Sequence, residues 1–291
     1  MRILPFLLCT APLLALRPPL ALWELQEPTG APRISVGTAG PYALLDGNAT
    51  FPIPTVRVEN GPFGPFAAQF LPPPANNSAR LFAPRDSAPA ITEGIAGPNA
   101  TVTLVAWVKL LPGRKAEGMV AGVWDEYGIV GGATGARQYA IFLNLGKCYG
   151  NNGTLYNGGL AGHISDVGGP TPGERFCSTA ACDARTLGPD WHCLATTYDD
   201  SFIKVYVNGT FEGNANRNPY ALEGGIFDPA SLPGRAGAEF GVGANRVNST
   251  PGAPFHWDNY FEGLLGGVAV WDAALGEADV VQACRLAKGF S

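Results

Sequence analysis

Residues 190–209 constrain this chain more than any other stretch. Asp190-Trp191-His192-Cys193-Leu194-Ala195-Thr196-Thr197-Tyr198 and Phe202-Ile203-Lys204-Val205-Tyr206-Val207 are rich in β-branched and aromatic residues, and they flank the polar link Asp199-Asp200-Ser201. Runs of this kind joined by a short polar loop favour antiparallel neighbours, and the closing Asn208-Gly209 accepts the positive φ angles of a type I′ turn. Side chains alternate between the faces of a strand, so Ile203, Val205 and Val207 share one side and Phe202, Lys204 and Tyr206 the other. The first set is expected to cover a core, and the second to meet solvent or a groove.

The same texture continues through the chain. Strand-like pieces run over 55–58, 66–70, 79–83, 101–109, 118–124, 138–145, 159–164, 238–243 and 260–272, separated by glycine and proline. Leu71-Pro72-Pro73-Pro74 is a break that no central strand could contain. Ala274 to Cys284 alone has helical spacing, through Leu275, Val280 or Val281, and Cys284. With 39 glycines and 26 prolines but 46% hydrophobic residues, the 291-residue chain suits many short strands and tight turns rather than disorder. Charged residues make up 15% and the net charge is −5, with no basic run. Nucleic acid and anionic membrane are therefore excluded as expected partners.

Met1-Arg2 followed by an apolar run over residues 3–16 matches a secretory signal peptide, and its prolines and Arg17 argue against a spanning helix. Removal of roughly the first 15 to 25 residues is expected, with Ala15 and Ala21 as the best small residues for cleavage. Residues 22–54 form a proline- and glycine-punctuated lead-in able to supply an edge strand, and 55–291 one domain. Sequons at Asn48, Asn76, Asn99, Asn152, Asn208 and Asn248 exceed the one or two that composition would give by about threefold. An extracellular glycoprotein is expected.

Specific words in the sequence carry a resemblance. Trp191-His192 with Leu194-Ala195 and Thr197-Tyr198-Asp199, then Val205-Tyr206-Val207-Asn208-Gly209, resembles the signature of laminin-G-like, concanavalin A-like jelly-roll domains. Val105-Ala106-Trp107-Val108-Lys109 is similar to that family's central strand. Phe261-Glu262-Gly263-Leu264-Leu265 with Trp271-Asp272-Ala273-Ala274-Leu275 is similar to its closing line. The resemblance runs from about Val56 to about Ala287. It implies an all-β fold, an antiparallel two-sheet β-sandwich, and it leaves function open because this fold hosts lectins, adhesion modules, hydrolases and lyases.

Catalysis is the lesser expectation. A glycoside hydrolase needs two carboxylates across a cleft, and the family's E-x-D-x-E strand motif is absent. Asp125 and Glu126 are adjacent, so on a strand they face opposite ways, while Glu239 and Glu262 stand alone. His163, His192 and His256 have no Ser or Cys motif beside them. The resemblance implies calcium at a loop rim, a hard cation held by oxygen ligands. Asp125, Asp258 and Asn259 are the residues to hold it, with Glu126 and Asn245 beside them.

Trp257, Asp258 and Asn259 combine an aromatic face with a carboxylate and an amide, and Asp125 and Glu126 follow Trp124 in the same chemistry. That combination suits sugars, which stack on aromatic rings while polar groups read their hydroxyls. The expected function is a secreted, non-catalytic module binding carbohydrate or glycoprotein. A glycan hydrolase or lyase on the same fold, or a structural matrix or wall protein, is the alternative. Among the cysteines, two of Cys148, Cys177 and Cys182 are expected to pair, and Cys193 to be a buried thiol.

Overall fold

The computed structural model describes residues 15–71, 80–113, 117–126, 129–130, 133–143, 148–149, 155–156, 159–169, 180–182, 187–214, 224–231, 237–247 and 256–290. The opening hairpin forms as its alternation demands. Trp191–Tyr198 pairs antiparallel with Ile203–Val207, with Tyr198 opposite Ile203 and Leu194 opposite Val207. At the link, the Asp199 carboxylate accepts the N–H groups of Ser201 and Phe202 at 3.1 and 2.6 Å, and Asp200 takes φ 72°. Asn208 and Gly209 follow at φ 52° and 81°, the positive pair of a type I′ turn.

Two eight-stranded sheets face each other. In the first, Val102–Leu110 is central, flanked by Trp191–Tyr198 and Gly263–Trp271. The second runs from Ala180–Cys182 through Leu160–Ile164, Tyr139–Leu143, Gly118–Val123, Phe240–Val242 and Leu81–Ala83 to the edge strands Ala43–Asp46 and Arg33–Ile34. Every named pairing is antiparallel. The main core lies between the sheets and includes Leu104, Leu194, Val205, Val268 and Val270, all with no exposed surface. The sheets come close enough that a Cβ on Gly162 would stand 2.0 Å from Thr196 Oγ1, so only glycine fits there.

The lead-in is stitched into both sheets. Ala21–Trp23 adds to the Gly263–Trp271 strand, and buried Trp23 stacks on Phe240 with 5.3 Å between ring centroids. Arg33 is fully buried; it pairs with Asp46 at 3.0 Å and donates to the Ile53 carbonyl at 2.7 Å. The buried guanidinium is tolerated because its charge is paired and both terminal nitrogens find acceptors, while Nε has none.

The alternation places Val205 and Val207 in the inter-sheet core, as their parity implies, and Val207→Ala should cost about 1–3 kcal/mol through lost methyls and the cavity left behind. Chemical denaturation reads this directly; a change within error would put Val207 outside the core. Trp107 and Trp191, whose size leads one to expect them beside these valines between the sheets, lie elsewhere. Trp107 sits on the outer face of the first sheet with Cys193, Ala195 and Trp271, and Trp191 shares the parity of Cys193 and is only half-buried. The reason is simple alternation across a sheet whose second face is also covered.

That cover is the C-terminal helix Glu277–Cys284, whose buried residues are Val280, Ala283 and Cys284. Trp107 donates its indole N–H to the Cys284 carbonyl at 3.1 Å. Cys193 is not a free thiol: it is disulfide-bonded to Cys284, 91 residues away, with a Cα–Cα distance of 5.6 Å. Helical spacing turns Cys284 toward the outward-facing Cys193, so two cysteines that look unrelated in sequence meet. The side chains of Cys148, Cys177 and Cys182 lie outside the described residues. Among those described, no helix is long and apolar enough to cross a membrane.

Candidate functional site

Trp124, Asp125 and Glu126 directly follow the Gly118–Val123 strand of the second sheet, whose outer face carries Trp124. Ala140, Phe142, Ala161 and His163 point away from the core, since Tyr139, Ile141, Leu143, Leu160 and Ile164 take the inner positions. Trp124 joins this face, edge-on to Phe142 and His163 with centroid distances of 5.5 and 5.6 Å. The Arg137 guanidinium lies 5.7 Å from the Trp124 ring, within reach of a cation–π attraction.

Beyond Phe240–Val242 the chain turns back, and Asn245–Val247 pairs with His256–Asp258, setting Asn245 opposite Asp258 and Arg246 opposite Trp257. A parallel bridge links Asp125 to Arg246. This ribbon brings two distant segments together. Asn259 donates its side-chain amide to Asn245 Oδ1 at 2.8 Å and to Glu126 Oε1 at 3.3 Å. The same carboxylate oxygen accepts the Trp124 indole N–H at 3.3 Å. Asp125 is buried, with Oδ2 3.7 Å from Arg246 Nε. Asn259 holds φ 51°, a left-handed conformation that asparagine tolerates better than most residues, and its carbonyl accepts the Met119 N–H at 2.7 Å.

Asp125, Glu126, Asn245 and Asn259 are therefore neighbours. Trp257 and Asp258 lie on the same ribbon, with side chains outside the described residues. Among the described residues no three acidic, histidine or cysteine side chains gather as a metal ion would need. Asp125 faces a guanidinium instead, so calcium at this place would have to draw on Asp258.

Sequence reasoning missed the basic and histidine members. Arg80 is buried and pairs with Glu239, and its guanidinium lies 5.0 Å from the Phe82 ring. Burial lowers its pKa to about 10, with the attraction of Glu239 opposing the shift, and it remains a cation at neutral pH. His163 is buried beside Trp124 and Phe142, and neither ring nitrogen has a hydrogen-bond partner. Burial, reinforced by Arg137, lowers its pKa to about 3. The signal available was parity: His163 alternates with the core-facing Ile164.

No protein-family profile matches this sequence, and no curated protein sequence does. Solved structures match in shape. Domain 4 of AbnA, an extracellular GH43 arabinanase from Geobacillus stearothermophilus in complex with arabinotriose, aligns over 93% of this chain and 100% of its own at 15% identity and TM-score 0.49. Trypanosoma rangeli sialidase with 2,3-difluorosialic acid aligns over 91% of this chain and 32% of its own, at 13% identity and TM-score 0.50. A structure of botulinum neurotoxin type C, which interacts with two ganglioside molecules, aligns over 93% and 51%, at 9% identity and TM-score 0.50. The chain is an antiparallel jelly-roll β-sandwich. It spans about a third of the sialidase and half of the neurotoxin chain, and at such identities the likeness is one of fold.

Proposed function

We propose that this jelly-roll domain is a secreted, N-glycosylated binding module that recognises carbohydrate or glycoprotein ligands on the outer face of its second sheet. One observation carries the reading: the ribbon brings Asn245, Asp258 and Asn259 to the Trp124-Asp125-Glu126 turn, so carboxylate, amide and aromatic groups converge from two parts of the chain. Rigid strands presenting such loops are where binding residues concentrate. The resemblance to laminin-G-like domains agrees with it. Binding is favoured over hydrolysis because the carboxylates described here are already engaged: Asp125 by Arg246, Glu239 by Arg80, and Glu126 by Trp124 and Asn259. The test is a glycan array probed with the purified secreted protein, with calcium and with chelator. Selective binding to a group of related glycans is expected; an empty array in both conditions would contradict the reading.

Secretion makes a second prediction, on processing. Arg17 pairs with Asp272 at 2.8 Å, its carbonyl accepts the Trp271 indole N–H at 2.8 Å, and Leu20 N–H bonds to Val270 O at 2.8 Å. Cleavage after Ala15 keeps these contacts, whereas cleavage after Ala21 cuts the Ala21–Trp23 strand. N-terminal sequencing of secreted protein should find a start at or before Arg17. A start at Leu22 would contradict this.

A further inference from the structure

On the opposite side of the sandwich, the C-terminal end of the 277–284 helix overhangs a cavity of about 400 Å³, within the size range of small-ligand sites. Its walls come from four separate parts of the chain. Asn60 follows the Thr55–Arg57 strand, Asp190 and Trp191 open the central hairpin, Asn208 forms its far turn, and Arg285 and Lys288 follow the helix. Because Trp191 shares the parity of Cys193, the cavity belongs to the outer face of the first sheet. It is separate from the Asp125–Asn259 cluster. The disulfide between Cys193 and Cys284 fixes one wall to the other.

Three features point to a ligand. Trp191 Nε1 is shielded from solvent and has no hydrogen-bond acceptor, and an unmet buried donor is destabilising. Among the described residues, neither Arg285 nor Lys288 has an ion-pair partner. The Cys284 carbonyl at the helix end is already taken by Trp107. Among the described lining residues, two exposed cations without ion-pair partners stand against the carboxylate of Asp190. Asn60 and Asn208 add amides and Asp190 an acceptor, groups suited to hydroxyls, beside the apolar Val281 and Phe290. Asn208 Oδ1 is held by the Cys193 N–H at 2.8 Å, and its Nδ2 lies 3.5 Å from His192 Nδ1. A simple inorganic anion would use the cations and leave the amides and the indole unused.

We propose that this cavity is a binding site for an anionic sugar unit of a glycan, its carboxylate or sulfate held by Arg285 and Lys288 and its hydroxyls met by Asn60, Asp190 and the Trp191 N–H. The site stands apart from the reading given for the second sheet. Asn208 also heads a sequon, so an N-glycan there would sit at the mouth. Thr210→Ala removes the sequon and keeps the Asn208 amide.

The test is calorimetric titration of full-length secreted protein in the Thr210→Ala background. The probes are a hyaluronan tetrasaccharide, a heparin tetrasaccharide and neutral chitotetraose. At least one acidic probe should bind tenfold or more tightly than the neutral one. The Arg285→Gln/Lys288→Gln pair should weaken that binding at least tenfold, and Trp191→Phe, which keeps a ring but loses the N–H, about threefold to tenfold. Arg57→Gln, an exposed cation elsewhere, should leave it unchanged. The assignment is overturned if no acidic probe binds, if the neutral probe binds as well, or if the double variant binds like the parent with an unchanged melting temperature.

Discussion

Acidification from pH 6.5 to 4.5 should lower the unfolding free energy by about 2 kcal/mol through His163 alone, the slope rising toward ~1.4 kcal/mol per pH unit once the unfolded histidine is fully protonated. The ring is buried, has no hydrogen-bond partner and lies near the Arg137 cation, which together lower its pKa from 6.5 to about 3. The unfolded chain therefore takes up a proton near pH 6.5 while the folded chain stays neutral. Stability is lost as pH falls below 6.5, and the loss stops growing near pH 3. Denaturation curves collected between pH 7 and 4 measure the slope. In His163→Phe, which keeps an aromatic ring against Trp124 and Phe142, that component should vanish. Identical pH profiles for variant and parent would mean that His163 stays neutral in both states or is solvated when folded.

Removing the disulfide should have a larger effect. Replacing Cys193 and Cys284 together by alanine frees a 91-residue loop in the unfolded chain, which chain-entropy reasoning sets at about 4–5 kcal/mol. The double variant leaves neither partner of this bond as a free thiol, and guanidinium denaturation compares it with the parent. The helix should loosen first, since Val280, Ala283 and Cys284 are its only buried residues. Loss of the Trp107 bond to the Cys284 carbonyl would then show in tryptophan fluorescence before global unfolding. A difference below 1 kcal/mol would place the stabilisation in the helix packing instead.

The sandwich was legible because alternation is a local property. Phe66–Phe70 reads as a strand from five residues, and the inward set Ile203, Val205, Val207 needs no knowledge of the other sheet. What alternation cannot say is whether the second face is covered. Trp107 and Trp191 were expected between the sheets because large aromatics usually lie in a core. Their parity with Cys193 put them under the C-terminal helix. The disulfide was hidden for the same reason, since it joins a strand to a helix that meet only after both sheets are built.

The candidate site was half legible. Asp125, Glu126, Asn245 and Asn259 stood out by type, and the ribbon Asn245–Val247 with His256–Asp258 supplies the contact that type alone could not. Arg80 and Arg137 gave no signal, and His163 gave only its parity with Ile164. Each is a lone polar residue inside an apolar or glycine-rich stretch, where burial and pairing are decided by strands far away in sequence. Arg80 meets Glu239 across 159 residues.

The central claim, that ligand is bound at the ribbon end of the second sheet, is tested most directly by Trp257→Ala. Trp257 pairs with Arg246 on the ribbon beside Asn245 and Asn259. For the tightest glycan found on the array, the variant should bind about 5- to 30-fold more weakly, the ~1–2 kcal/mol of a stacking aromatic, with its melting temperature within ~2 °C of the parent. Unchanged affinity in the folded protein, with or without a fall in melting temperature, would contradict it.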